Sequence, residues 1–117
     1  MTIIRLILIA LLVSTGFARP EDQIFKTNLT ITVRDEAGNT VEKAQVVLFL
    51  KEEDYTKEVN PVVKGETDEK GVVKFKGLKP HAYFVLARKD DKDNSGGGEK
   101  TDALEEGKVN KVTIIIQ

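Results

Sequence analysis

From residue 27 onward the apolar residues recur with a period of two. In Leu29-Thr-Ile-Thr-Val33, the residues Leu29, Ile31 and Val33 share one face while Thr30 and Thr32 share the other, which predicts a half-buried strand. The Asp35-Glu-Ala-Gly38 that follows reads as a turn. The Asp carboxylate can accept backbone amides ahead of it, and Gly38 can take a positive φ. Val46-Val-Leu-Phe-Leu50 is apolar on both faces and predicts a central strand, with Val46, Leu48 and Leu50 inward. Glu52 to Asn60 is polar and charged, and reads as a loop or irregular edge. Pro61 donates no ladder bond, so Val62-Val63 is expected on a short edge strand.

Asp68-Glu-Lys-Gly71 repeats the first turn. Val73 and Phe75 then alternate with Lys74 and Lys76, Tyr83-Phe-Val-Leu-Ala87 forms another apolar run, and Asp90 to Lys100 is an acidic, Gly-rich loop. Val109 to Ile116 closes the chain as a strand with Val112, Ile114 and Ile116 on one face. No helical segment is expected after Ala18, because Thr, Val and Ile dominate the candidate elements. Strands separated by turns about every ten residues predict an all-β fold, a seven-stranded antiparallel β-sandwich.

The start of the chain differs. Arg5 precedes Leu6-Ile-Leu-Ile-Ala-Leu-Leu-Val13, and Gly16-Phe17-Ala18 ends the apolar run on small residues. These are the parts of a secretory signal peptide cleaved after Ala18. The stretch Leu6 to Phe17 falls short of the roughly 20 residues that a spanning helix needs. Contact with a membrane is therefore expected only through residues 1–18, before cleavage. Residues 19–26 read as a flexible lead-in and 27–117 as the single domain. Export points to the periplasm or the extracellular space.

The whole chain of 117 residues carries 18 Lys and Arg against 19 Asp and Glu, a net charge of −1. That balance argues against a general nucleic-acid binder. With no cysteine there is no disulfide scaffold, no thiol nucleophile and no Cys-ligated zinc. An exported chain of this kind must be held by packing and strand pairing alone.

Two stretches carry a resemblance. Val33-Arg-Asp-Glu-Ala-Gly38, Val41 and Ala44-Gln-Val46-Val-Leu48, with Thr67-Asp-Glu-Lys-Gly71, Val73, Phe75, Leu78, Pro80, Tyr83, Val85 and Ala87, resemble the carboxypeptidase regulatory-like domain family. The resemblance implies an Ig-like, transthyretin-like sandwich of seven strands. Such domains usually work outside the cytoplasm, attached to peptidases, outer-membrane receptors or adhesins. Val46, Leu48, Val73, Phe75, Leu78, Tyr83 and Val85 are core candidates, and Tyr83 is expected to bond its hydroxyl at the sandwich end.

The chain is poor in catalytic sets. One histidine, His81, rules out a multi-His zinc site and a Ser-His-Asp argument, and it reads as a turn residue. Transthyretin-like hydroxyisourate hydrolases end in Tyr-Arg-Gly-Ser, whereas this chain ends in Ile114-Ile-Ile-Gln117. Pilin and adhesin domains with Lys–Asn isopeptide bonds carry Lys two residues before the turn Asp. Here Val33 stands at that position, and Ala87 and Arg88 stand where the acidic partner is expected. Lys26 and Asn110 are the remaining pair for such a bond.

One constellation has chemical content. Asp91, Asp93 and Ser95 offer oxygens at positions 1, 3 and 5 of a loop, with Gly96 at 6, Glu99 at 9 and Asp102 at 12. This matches the calcium-loop pattern with Asp in place of Glu at the last position. The same residue types make ordinary solvated loops.

These observations lead to an exported, non-catalytic binding or assembly module whose partner is an envelope or extracellular protein or a glycan. Alternatives are a β-edge structural or adhesion protein built on Lys111–Gln117, and a calcium-dependent binding module using the 91–102 loop. The low aromatic content argues against a glycan platform, leaving Tyr55 as the one loop aromatic. If Lys111–Gln117 sits mid-sheet it is core, which Ile114 and Ile116 favour; on an edge it invites strand addition.

Overall fold

The computed structural model describes residues 26–96 and 99–117. The signal peptide at 1–18 and the lead-in up to residue 25 lie outside the described residues. The elements run β1 (Asn28–Asp35), β2 (Gln45–Phe49), α1 (Glu52–Lys57), β3 (Val63–Glu66), β4 (Val72–Phe75), β5 (Phe84–Lys89), β6 (Lys92–Asp93) and β7 (Val109–Ile116). They form two sheets, a three-stranded one in the order β4-β1-β7 and a four-stranded one in the order β3-β2-β5-β6.

The alternation of the sequence becomes the two faces of each sheet. Leu29, Ile31 and Val33 of β1, Val46 and Leu48 of β2, Val73 and Phe75 of β4, Val85 and Ala87 of β5, and Ile114 and Ile116 of β7 are buried between the sheets. Tyr83 and Leu104 join them, and Leu78 packs on the cluster half-buried. Among the described residues, the apolar core side chains come from residues 29–116.

Both Asp-x-x-Gly turns form as the residues dictate. Asp35 Oδ1 accepts the N–H groups of Ala37 and Asn39 at 3.0 and 2.9 Å, and Gly38 sits at φ +89°. Asp68 Oδ1 accepts those of Lys70 and Val72 at 2.9 and 3.0 Å, and Gly71 sits at φ +76°. The Tyr83 hydroxyl donates to the Lys79 carbonyl at 2.8 Å, pinning the turn before β5.

Four expectations are corrected. The sandwich is mixed rather than antiparallel, because β1 pairs with β7 in parallel along its whole length, from Asn28 opposite Val109 to Asp35 opposite Ile116. β7 is an edge strand of its sheet, although Ile114 and Ile116 are buried on its inner face. Leu50 lies beyond the end of β2 and is 45% exposed instead of inward. The Glu52–Asn60 stretch contains a helix of 6 residues, with Glu52, Glu53 and Asp54 in its first turn, where acidic groups suit the helix dipole. A helix this short has little stability alone. It is held where Tyr55 packs edge-on against Phe49, ring centres 6.0 Å apart, and tilted against Phe84 at 5.8 Å.

Candidate interaction surfaces

The outer face of the four-stranded sheet is partly covered by α1. Phe49 and Leu86 are buried there, against Tyr55 and the loop that follows it. The loop is tightly bent: Glu58 and Asn60 take positive φ values of 55° and 51°, immediately before Pro61. Glu58 ends the helix in the left-handed conformation, and its two carboxylate oxygens receive the Arg88 guanidinium at 3.2 and 3.0 Å. That pairing holds the Glu58 carboxyl below its usual range and raises Arg88. Beside it lies an open groove of about 160 Å³, with Val47, Phe49 and Leu86 at its base and Gln45, Lys64 and Arg88 at its rim. Leu50, Val59 and Val62 are exposed around the same connection.

Tyr55, the loop aromatic, is consumed by packing. Desolvation first, then the Glu99 carboxylate beside its hydroxyl, push its pKa up to about 12. Lys100 stands over the Phe84 ring, 5.2 Å from its centre.

The described residues of the 91–102 segment are braced by hydrogen bonds. Lys92 and Asp93 form β6 against β5. Asp93 Oδ1 accepts the Ser95 N–H at 3.0 Å, and that bond leads the effects lowering its pKa. Glu99 Oε2 accepts the Gly96 N–H at 2.6 Å. Asp91 lines a different groove, beside Asp35, Lys89 and Lys92, and Asp102 a third, beside Leu104 and Lys108. The structure therefore brings Asp93, Ser95 and Glu99 to one turn and leaves Asp91 and Asp102 elsewhere. Among the described residues no three His, Cys, Asp or Glu side chains converge as metal ligands.

The residue between Asp93 and Ser95 matters more to the fold. Asn94 is fully buried; its Oδ1 accepts the Ala87 N–H at 2.9 Å and its Nδ2 donates to the Val85 carbonyl at 2.8 Å. Sequence reasoning missed it, because a lone Asn in an acidic loop carries no signal of burial. Thr67 and Thr101 were missed for the same reason. Thr67 Oγ1 accepts from Ala44 N–H and donates to the Val41 carbonyl, and Thr101 Oγ1 accepts the Tyr83 N–H and donates to the Asp102 carbonyl.

Of the positions considered for an isopeptide bond, Val33 and Ala87 are apolar and completely buried, and Arg88 is paired with Glu58. Asn110 is committed elsewhere. Its Nδ2 donates to the carbonyls of Asn28, Glu105 and Lys108, and its Oδ1 accepts the Glu105 N–H. His81 is exposed in the turn before β5, its N–H donating to the Lys79 carbonyl.

No family model matches the chain, and no curated protein matches it. Solved structures do. A part of the Bacillus anthracis TIE protein is similar with a TM-score of 0.56 at 25% identity, covering 79% of this chain and 17% of that one. BcpA, the major pilin subunit of Bacillus cereus, is similar with a TM-score of 0.51 at 23% identity, covering 80% of this chain and 30% of that one. The backbone protein of group B streptococcus pilus 2b gives 0.51 at 16% identity, covering 78% of this chain and 40% of that one. This chain thus spans less than half the length of each, and what it shares with the two pilus proteins is the fold of a pilin-type β-sandwich domain.

Proposed function

We propose that the chain is an exported, non-catalytic module that serves in assembly or adhesion at the cell surface, engaging an envelope or extracellular protein. The observation that carries this reading is the interior. Between the sheets, apolar side chains and a few hydrogen-bonded threonines and Asn94 fill the space. Whatever this domain engages, it engages through outer faces, loops and edges. The sandwich shared with a major pilin subunit and a pilus backbone protein supports the same reading, as do the signal-peptide features of residues 1–18.

The test is location and exposure. In its source organism the full chain is expected to be accessible to a membrane-impermeant label on intact cells or in the envelope fraction, with residues 1–18 absent from the mature protein. A chain confined to the cytoplasm with its leader intact overturns the reading.

A second reading places a glycan or peptide in the groove beside the Glu58–Arg88 pair. The apolar base of Val47, Phe49 and Leu86 under a polar rim favours it. Titration of glycans and short peptides against amide signals of Val47, Leu86 and Arg88 tests it, and an absence of shifts removes it.

A further inference from the structure

Among the described residues no strand pairs with β7 on the side away from β1 between Val109 and Ile115, and Thr101 to Glu105 flank its first half only across a groove. The Asn28 N–H donates to the Lys108 carbonyl at 3.0 Å, and at the other end Gln117 exchanges backbone bonds of 3.0 and 3.3 Å with Asp93, on the side away from β1. Backbone groups alternate in direction along a strand. The even-numbered residues of β7 therefore bond β1, while Val109, Lys111, Thr113 and Ile115 turn their N–H and C=O groups outward. The side chains of these four residues lie on the outer face of the sheet, with Val109 56% and Ile115 39% exposed.

We propose that two copies of this chain associate by antiparallel pairing of their β7 edges, with Val112 on the twofold axis. The pairing joins two three-stranded sheets into one continuous sheet. It names a partner for the assembly reading above and rests on that reading only for its setting.

The register follows from the residues. Val109 and Ile115 lie three residues either side of Val112. A twofold axis at Val112 sets each Val109 opposite the partner's Ile115, so the two exposed apolar side chains of β7 cover each other. It also sets Lys111 opposite the partner's Thr113. Every one of these pairs joins residues whose backbone groups face outward, the kind that exchange both bonds in an antiparallel ladder. Moving the axis one residue toward the start of the strand sets Lys111 against the partner's Lys111, which repel. Moving it the other way sets Val109 against the partner's Gln117, whose edge is already taken by Asp93.

A twofold pairing is self-complementary and closes at two copies, so it produces a dimer rather than a fibre. Lys111 is the only charged residue of β7. The two Lys111 side chains stand as diagonal neighbours across the axis, and salt therefore strengthens the pair.

The test uses residues 19–117, which contain every core side chain of the described residues. Sedimentation equilibrium is expected to show a doubling of mass at high micromolar concentration, with tighter association in 0.5 M salt than in 0.05 M salt. Val109→Lys and Ile115→Lys alter side chains exposed in the monomer. Each is expected to keep the wild-type melting midpoint in dilute solution and to weaken association at least tenfold. The register is read separately. The chain has no cysteine of its own, so a Val109→Cys chain mixed with an Ile115→Cys chain is expected to cross-link under mild oxidation, while neither variant cross-links with itself.

A wild-type chain that stays monomeric to millimolar concentration overturns the proposal, and so does self-cross-linking of Val109→Cys. In either case a surface-accessible protein keeps the assembly reading and assigns it to a different partner. A dimer found with a purely cytoplasmic protein does the reverse.

Discussion

The Asn94 side chain stands in for a strand beside Val85. Its amide donates to the Val85 carbonyl at 2.8 Å and accepts the Ala87 N–H at 2.9 Å, so a buried side chain completes the edge of β5 where β6 has ended. Removing it leaves two buried backbone groups without partners, each costing about 1–3 kcal/mol. Asn94→Ala is expected to lower unfolding free energy in urea by about 2–5 kcal/mol. Asn94→Asp keeps the acceptor and loses the donor. Burial raises the folded pKa of that carboxyl, so its penalty is absent below about pH 4 and grows as pH rises toward the folded value. A variant whose deficit against wild type is the same at pH 4 and pH 7 argues against this geometry.

The two turn glycines separate two costs. At Gly38 an added Cβ meets nothing within 4 Å, so Gly38→Ala carries only the positive φ, about 1 kcal/mol. At Gly71 the same Cβ lies 2.8 Å from Thr40 Cβ and 3.0 Å from both the Val33 carbonyl oxygen and the Val41 nitrogen. Backbone atoms give way poorly, so Gly71→Ala is expected to cost at least about twice as much. Paired thermal melts of the two variants give the comparison, and equal shifts contradict it.

The acid limb of stability is set by carboxylates that accept backbone and guanidinium donors. Asp35, Asp68, Asp93 and Glu58 all have lowered folded pKa values, caused chiefly by the Asn39, Val72 and Ser95 N–H groups and by Arg88 respectively. Groups of this sign contribute fully above their unfolded values, about pH 4, and lose the contribution as pH falls through the lower folded values. Melting midpoints are expected to drop below about pH 4, and a double Asp35→Asn, Asp68→Asn variant to drop less steeply. The tyrosines act at the opposite end. Tyr55 and Tyr83 both have raised values, through desolvation first, and Tyr55 reaches about 12. Their contribution is complete below about pH 10 and is lost as pH rises through the folded values. Absorbance titration at 295 nm is expected to show neither residue ionising with a normal midpoint until the chain unfolds.

For calcium to be held by the 91–102 loop, Asp91 and Asp102 must come to the turn where Asp93, Ser95 and Glu99 meet. Asp93 and Glu99 must also give up the N–H groups they accept. Millimolar calcium is therefore expected to leave the melting midpoint where chelator leaves it. A rise of roughly 10 °C, lost in Asp93→Ala, establishes the loop as a metal site instead.

The inner faces were legible because burial repeats every second residue. Leu29, Ile31, Val33, Val73, Phe75, Ile114 and Ile116 announce themselves by period, and Asp35 and Asp68 by their spacing to glycine. Partnership was not legible. Nothing in Val109–Ile116 says that it lies parallel to β1, since a strand's pattern records which face is wet and not which neighbour it has. Leu50 was read inward by extending the alternation one residue past the point where the chain turns. The helix at Glu52–Lys57 escaped because the one aromatic that anchors it, the half-buried Tyr55, gives no helical stripe. The candidate site was the least legible part. The oxygens of the 91–102 segment looked alike in sequence, and only their hydrogen bonds separate a brace such as Asn94 from exposed acids such as Asp91.

The parallel pairing of β1 with β7 has a mechanical consequence. The chain enters the ladder at Asn28 and leaves it beyond Ile116, at opposite ends of the same eight-residue pair. Tension applied between the two ends pulls the strands past each other, loading all the bonds of the ladder at once in shear. An antiparallel pair joined at one end would open one bond at a time. Stretched through its ends, this domain resists with its longest ladder as a single unit.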